Sequence, residues 1–151
     1  MQQNVDLIDL LNALNAERAE YLIVGAYAFA FHGRPRATSD VDIFVGSDAK
    51  NGEKVWRALV AFGAPLVDLR PSDLASPGIV YIMGRPPNQI DVITAIDGVT
   101  FEQAWATRVE STYGGVPVWY IGRDELIANK KAAARPQDLA DVAYLESDSA
   151  G

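Results

Sequence analysis

The stretch from Tyr21 to Phe31 limits the folds open to this chain more than any other segment does, because it is apolar and carries no charge. It is too short for a membrane span, which needs ~18 or more apolar residues, so it must be buried inside a protein core. Gly25 divides it. The run Tyr21-Leu-Ile-Val24 reads as a short buried strand, and the Ala- and aromatic-rich segment to His32 reads as a buried helix starting at Gly25. A strand that enters a helix through glycine presents backbone N–H groups and the positive helix end, which suits a phosphate. Glycine also lets a ligand approach the backbone closely. An ordinary tight strand-to-helix turn accounts for the same residues.

The remaining pattern alternates helices and strands without strict order. Residues 4–19 have apolar side chains at helical spacing, with Asn4 as N-cap. Residues 33–38 read as a loop, 40–45 as a strand, 46–51 as a turn and 53–62 as a helix. The Pro- and Gly-rich stretch 63–78 reads as loop, and 79–83 with 89–94 as a strand–loop–strand hairpin. Thr100 caps a helix to Val109, and Val116 to Ile121 is a strand near a sheet edge, given Pro117. Two helices close the chain, 124–134 and Pro136 to about Glu146, followed by a frayed tail, 147–151. The expected class is α/β (α+β), a mixed β-sheet with flanking helices and a C-terminal helical pair. One domain is expected over 1–151, with a core of about 20–122 and C-terminal helices of about 123–146.

Composition narrows the chemistry. The 151 residues contain no cysteine and one histidine, His32, which excludes thiol catalysis, iron–sulfur clusters, Cys-zinc sites and multi-His metal sites. A metal would need hard oxygen ligands, as Mg²⁺, Mn²⁺ and Ca²⁺ do. A net charge of −7 disfavours an extended DNA- or RNA-binding face but leaves room for a local basic pocket. The first six residues carry no basic region, so neither signal peptide nor membrane span is expected, and the cytoplasm of a prokaryote is. Neither a P-loop nor a G-x-G-x-x-G following a strand is present.

Asp40-Val41-Asp42 opens the second strand. Residues two apart on a strand share a face, so Val41, Ile43 and Val45 face the core and the two aspartates lie side by side. Adjacent carboxylates repel, and a divalent cation removes that penalty. Pairing with Arg34, Arg36 or Arg85 would remove it equally well. Asp91 stands in an otherwise apolar strand, where a charge is costly unless it is paired or faces a site. Arg123, Lys130, Lys131 and Arg135 gather basic charge that would suit a triphosphate, or that complements the end of a helix. Arg135 and Asp138 are spaced for a local salt bridge. Thr38 and Ser39 suit hydrogen bonds to phosphate or sugar, or loop capping. His32 and the three tryptophans read as core or boundary residues.

Taken in order, these features resemble the nucleotidyltransferase superfamily of DNA polymerase beta. The nearest likeness is to its minimal bacterial branch, with the AbiEii-type toxins and MNT-type antitoxins. The resemblance runs from about Tyr21 to Leu145. It is carried by Tyr21-Leu-Ile-Val-Gly25, His32-Gly-Arg-Pro-Arg-Ala-Thr38, Asp40-x-Asp42, Pro86-Pro-x-x-Ile-Asp91, Leu126-Ile-Ala-Asn-Lys130 and Arg135-Pro-Gln-Asp138. It implies a nucleotidyltransferase-like fold and transfer of a nucleoside monophosphate from an NTP to a hydroxyl, with release of pyrophosphate. Asp40, Asp42 and Asp91 would be catalytic and hold two Mg²⁺ ions, with Mn²⁺ as a substitute. Gly25, Ala26, Arg36, Thr38, Ser39 and Lys130 would bind the nucleotide. The acceptor would be a protein, a small molecule or an RNA 3′ end, and the resemblance implies a cognate toxin or antitoxin. Ala26 stands where the family usually has Ser or Gly, removing a hydroxyl from the phosphate site. An alternative reading follows from it: a weak or inactive nucleotide-binding or partner-binding module of the same fold. A DNA-binding pair of C-terminal helices is disfavoured by the acidic charge.

Overall fold

The computed structural model describes residues 4–150, with side-chain surroundings through 147. Its strands are β1 (Tyr21–Val24), β2 (Asp40–Val45), β3 (Val80–Met83), β4 (Gln89–Ile93), β5 (Val109–Tyr113) and β6 (Val116–Tyr120). The helices are α1 (Val5–Ala16), α2 (Gly25–His32), α3 (Ala49–Phe62), α4 (Phe101–Ala106), α5 (Arg123–Ala133) and α6 (Pro136–Ala150). The strands form one mixed sheet in the order β3-β4-β2-β1-β6-β5. β2 runs antiparallel to β1 and parallel to β4, β1 runs parallel to β6, and β3–β4 and β5–β6 are antiparallel pairs. The expected α+β class with a mixed sheet and flanking helices is the observed one.

The helices that matter for the site are placed by apolar stripes and caps. Asn4 accepts a hydrogen bond from the Leu7 N–H at 3.0 Å and starts α1. Leu7, Leu10, Leu11 and Leu14 are then buried against α3 and β6. Each such leucine contributes about 1.5–3 kcal/mol through burial. α2 lies across β1 and β2 and reaches α5, and α5 packs against α6. In β2 the alternation holds: Val41, Ile43 and Val45 are fully buried while Asp40 and Asp42 are half-buried on the opposite side. Phe44 shares that opposite side but is covered by Phe101 of α4, with ring centroids 5.1 Å apart.

Four expectations need correction. α2 is not buried all round: only Ala28 and Phe29 are buried, and Phe31 is 40% exposed. α3 begins at Ala49, inside the expected turn, because Asp48 caps it by accepting from the Asn51 N–H. Val109 starts a strand rather than ending a helix, since α4 stops at Ala106. That strand, β5, was not expected; it pairs with β6 across a turn at Gly114-Gly115. The expected tail is helical, as α6 continues to Ala150, with Gly151 outside the described residues. β6 lies next to the edge strand, as Pro117 suggested.

Candidate functional site

Register builds the site. β2 sits between β1 and β4, and Asp42 is level with Val24 on one side and Asp91 on the other. Val24 is the last residue before α2, so the start of that helix and two strands meet at Asp42. Asp40, Asp42 and Asp91 each offer one carboxylate oxygen, and these oxygens lie within 4.8 Å of one another. Among the described residues no lysine or arginine forms an ion pair with any of the three. The pairing with Arg34, Arg36 or Arg85 considered from the sequence does not occur.

The cost of this arrangement falls on Asp42. Burial, followed by the charges of Asp91 and Asp40, pushes its carboxyl up to about 6. The trio thus holds more negative charge than the protein around it neutralises. An acidic trio of this spacing can hold a metal ion, and a hard divalent cation suits an all-carboxylate donor set. Small groups support it: Gln89 donates to Asp91 Oδ1 at 2.9 Å, and Ser39 donates to Asp40 Oδ1 at 3.0 Å.

Gly25 is required twice over. Its φ is +65°, in the left-handed region, and a Cβ there would collide with Asp42 Oδ2. The backbone therefore approaches the carboxylates as closely as the chain permits. Beside it a cavity of about 260 Å³ is lined by Gly25, Ala26, Asp40, Asp42, Arg36 and Thr38, and on its far side by Lys130, Arg135 and α6 side chains. Five of the six nucleotide-site residues expected from the sequence share this cavity with two of the aspartates. The sixth, Ser39, is exposed and spends its hydroxyl on Asp40 rather than lining the cavity. Thr38 caps the entry to β2, donating to the Asp40 carbonyl at 3.0 Å.

The cations are held by α6 carboxylates, of which sequence reasoning anticipated Asp138 for Arg135 but missed Asp141. Asp138 and Asp141 of α6 are 3% and 1% exposed. Asp141 accepts from Lys130 at 2.8 Å, from Gln137 at 2.9 Å and from both terminal nitrogens of Arg36. Burial alone would raise its pKa, but the bonds from Arg36, Lys130 and Gln137 prevail and hold it down to about 2. Asp138 accepts from Arg135 Nε at 2.6 Å, the local pair expected from the spacing, and lies 3.5 Å from Lys130. A signal was present: residues 138, 141, 142 and 145 form the buried stripe of α6, and two of its four positions are acidic. The basic gathering is split. Lys130 and Arg135 face the cavity, whereas Lys131 pairs with Glu146, and Arg123 donates to the Leu145 carbonyl. α5 thus spends its basic side chains on α6 and does not present them as one nucleic-acid face. His32 is a satisfied boundary residue, with Nε2 2.7 Å from the Ile121 carbonyl. Trp56, Trp105 and Trp119 pack at the border of the core.

Compared with protein-family models and with curated proteins, the sequence finds no match. Among the described residues no helix is long and apolar enough to cross a membrane.

Proposed function

We propose that this chain is a Mg²⁺-dependent nucleotidyltransferase, moving a nucleoside monophosphate from an NTP to a hydroxyl acceptor. The observation that carries this reading is the convergence of Asp40, Asp42 and Asp91 within 4.8 Å, beside the glycine turn that opens α2. The residues fit the metal on the chemistry of their donor set: three carboxylates that form no ion pair with a lysine or arginine among the described residues. Asp40 and Asp42 would hold two ions and Asp91 would complete the site of one. Bound Mg²⁺ would offset the charge of carboxylates and phosphates and stabilise the entering and leaving oxygens.

The chain's own residues then do the following. Backbone N–H groups at Gly25 and Ala26 hold the β- and γ-phosphates at the positive end of α2. Lys130 and Arg135 line the same cavity and add positive charge near the phosphates. Asp91 accepts the proton of the acceptor hydroxyl. The acceptor oxygen bonds to the α-phosphorus as the bond to the bridging oxygen breaks, and pyrophosphate leaves. Catalysis is mainly positioning and electrostatics. A cytoplasmic setting and a cognate toxin or antitoxin belong to the same reading.

A second reading is favoured by two observations. Ala26 offers no hydroxyl to phosphate, and all three cations lining the cavity, Arg36, Lys130 and Arg135, are already paired with α6 carboxylates. The chain would then bind nucleotide without transferring it. Incubation with α-labelled NTPs, Mg²⁺ and cell extract separates the two. Transferred label that disappears in Asp40→Asn and Asp42→Asn supports transfer. NTP-dependent thermal stabilisation with no transferred label supports the module. If neither nucleotide nor divalent ion has any effect, both readings fall.

A further inference from the structure

A second, larger cleft lies on the other side of Arg36 and Thr38. Its volume is about 750 Å³, within the range of small-molecule sites. Tyr27 and Phe31 of α2 form one wall, with Tyr113 of β5 and Tyr120 of β6 facing them. Phe31 and Tyr120 stack with centroids 4.1 Å apart and planes 2° from parallel. Tyr27 and Tyr113 lie 6.0 Å apart at 50°. Asn4, Thr38 and Asn88 add neutral polar groups to the lining. On this side of α2 the rings at i and i+4 are only partly covered: Tyr27 is half-buried, and Phe31 keeps one face open opposite Tyr120.

The charges of the cleft decide what it would accept. Arg36 is its one guanidinium among the described lining residues, and Asp141 already holds that group. Among the described lining residues the one carboxylate is Asp6. Lys130 and Arg135, which suit phosphates, line the smaller cavity instead. A polyanion such as an RNA end would find no unpaired cation among the described lining residues, while a flat uncharged or cationic ring would find aromatic faces. Arg36 and Thr38 line both cavities, so the cleft adjoins the smaller cavity that Asp40 and Asp42 line.

We infer that this aromatic cleft is the acceptor subsite, and that the acceptor is a small uncharged or cationic compound carrying a flat ring and a hydroxyl. The inference rests on the transferase reading. The ring lies among Tyr27, Phe31 and Tyr120, and the hydroxyl points past Thr38 toward the carboxylates. Its oxygen forms the new bond to the α-phosphorus of the NTP, its proton passes to Asp91 and then to water, and pyrophosphate departs with the electron pair of the broken P–O bond.

The test uses 2-(2-naphthyl)ethanol as probe, the full chain, and Mn²⁺ as a paramagnetic reporter. By saturation-transfer NMR the probe binds the metal-free protein, Phe31→Ala and Tyr27→Ala each weaken it at least fivefold, and Asp42→Asn leaves it unchanged. With Mn²⁺ added, the carbinol protons broaden more than the distal ring protons, and this difference disappears in Asp42→Asn. Phe31 is half out in solvent, so its variant folds, and an unchanged circular-dichroism melt checks this. Binding that is indifferent to Phe31→Ala, or displacement of the probe by the trinucleotide CpCpA, overturns the inference. So does bound Mn²⁺ that leaves the carbinol protons sharp, and in that case the transferase reading stands. If water relaxation shows no Mn²⁺ bound at all, the transferase reading fails and takes the acceptor role with it.

Discussion

Asp42 is where the interests of folding and of ligand binding oppose each other. Its carboxyl is pushed up to about 6, above the ordinary 3.8, so the folded chain holds that proton more tightly than the unfolded one. Stability from this group is present at low pH and is lost as pH rises through about 6. At pH 7 and without divalent ions, Asp42→Asn is expected to stabilise the chain by on the order of 1–3 kcal/mol, read by chemical denaturation. The same variant is expected to lose Mn²⁺ binding, read by calorimetry. A substitution that stabilises the protein while removing its ligand marks a functional group, and a destabilised Asp42→Asn chain would count against this account. Gly25→Ala makes the complementary case. It combines strain at φ +65° with a collision at Asp42 Oδ2, so it should cost at least 1 kcal/mol and displace the carboxylate. Mn²⁺ affinity should then fall at least tenfold.

The elements differ in how plainly the sequence announces them. β1 and β2 run over the residues expected, because each is a short β-branched run bounded by glycine or by a polar loop. Asp40, Asp42 and Asp91 stood out only in combination: each alone read equally well as a solvated or paired carboxylate, and their order along the chain, through the family resemblance, is what grouped them. β5 was not readable: Val109-Glu-Ser-Thr-Tyr113 alternates half-buried and exposed positions at the sheet edge, with no apolar run. Gly114-Gly115 is a hairpin signal that could have exposed it. The early start of α3 rests on Asp48, a local cap signal, and is reinforced by Asn51, a buried amide that bonds the Glu20 and Gly46 carbonyls in a tertiary role that local pattern does not show. The aromatic cleft was hidden for a similar reason. An uncharged helix looks buried on every side until its neighbours are known. Among the helices, α1 is fixed to the sheet by four fully covered leucines. Leu11→Ala should cost about 2–5 kcal/mol in urea denaturation and leave Mn²⁺ affinity unchanged in the folded fraction.

Over the whole molecule, the C-terminal helices are tied to the sheet by charge as well as by packing. Asp141 joins α6 to Lys130 of α5 and to Arg36 in the loop before β2. Its depressed pKa means that this stability is present above about 4 and lost as pH falls toward about 2. Asp141→Asn leaves two cations facing a neutral amide and should cost about 3–5 kcal/mol at pH 7. It should also flatten the acid limb of the stability curve below pH 4, followed by circular dichroism. The result to watch against is equal stability at neutral pH, which would mean that the cluster is solvated in solution.

The parallel register of β2 and β4 has a further effect. Shifting β4 by one residue would exchange Asp91 for Ile90 or Val92, turning a carboxylate into the core and an aliphatic chain toward the cavity. Such a shift would break the hydrophobic interior and the acidic trio in one movement. Chains whose sheet has closed correctly therefore carry the acidic trio already assembled, and a preparation should contain no well-folded but mis-set population.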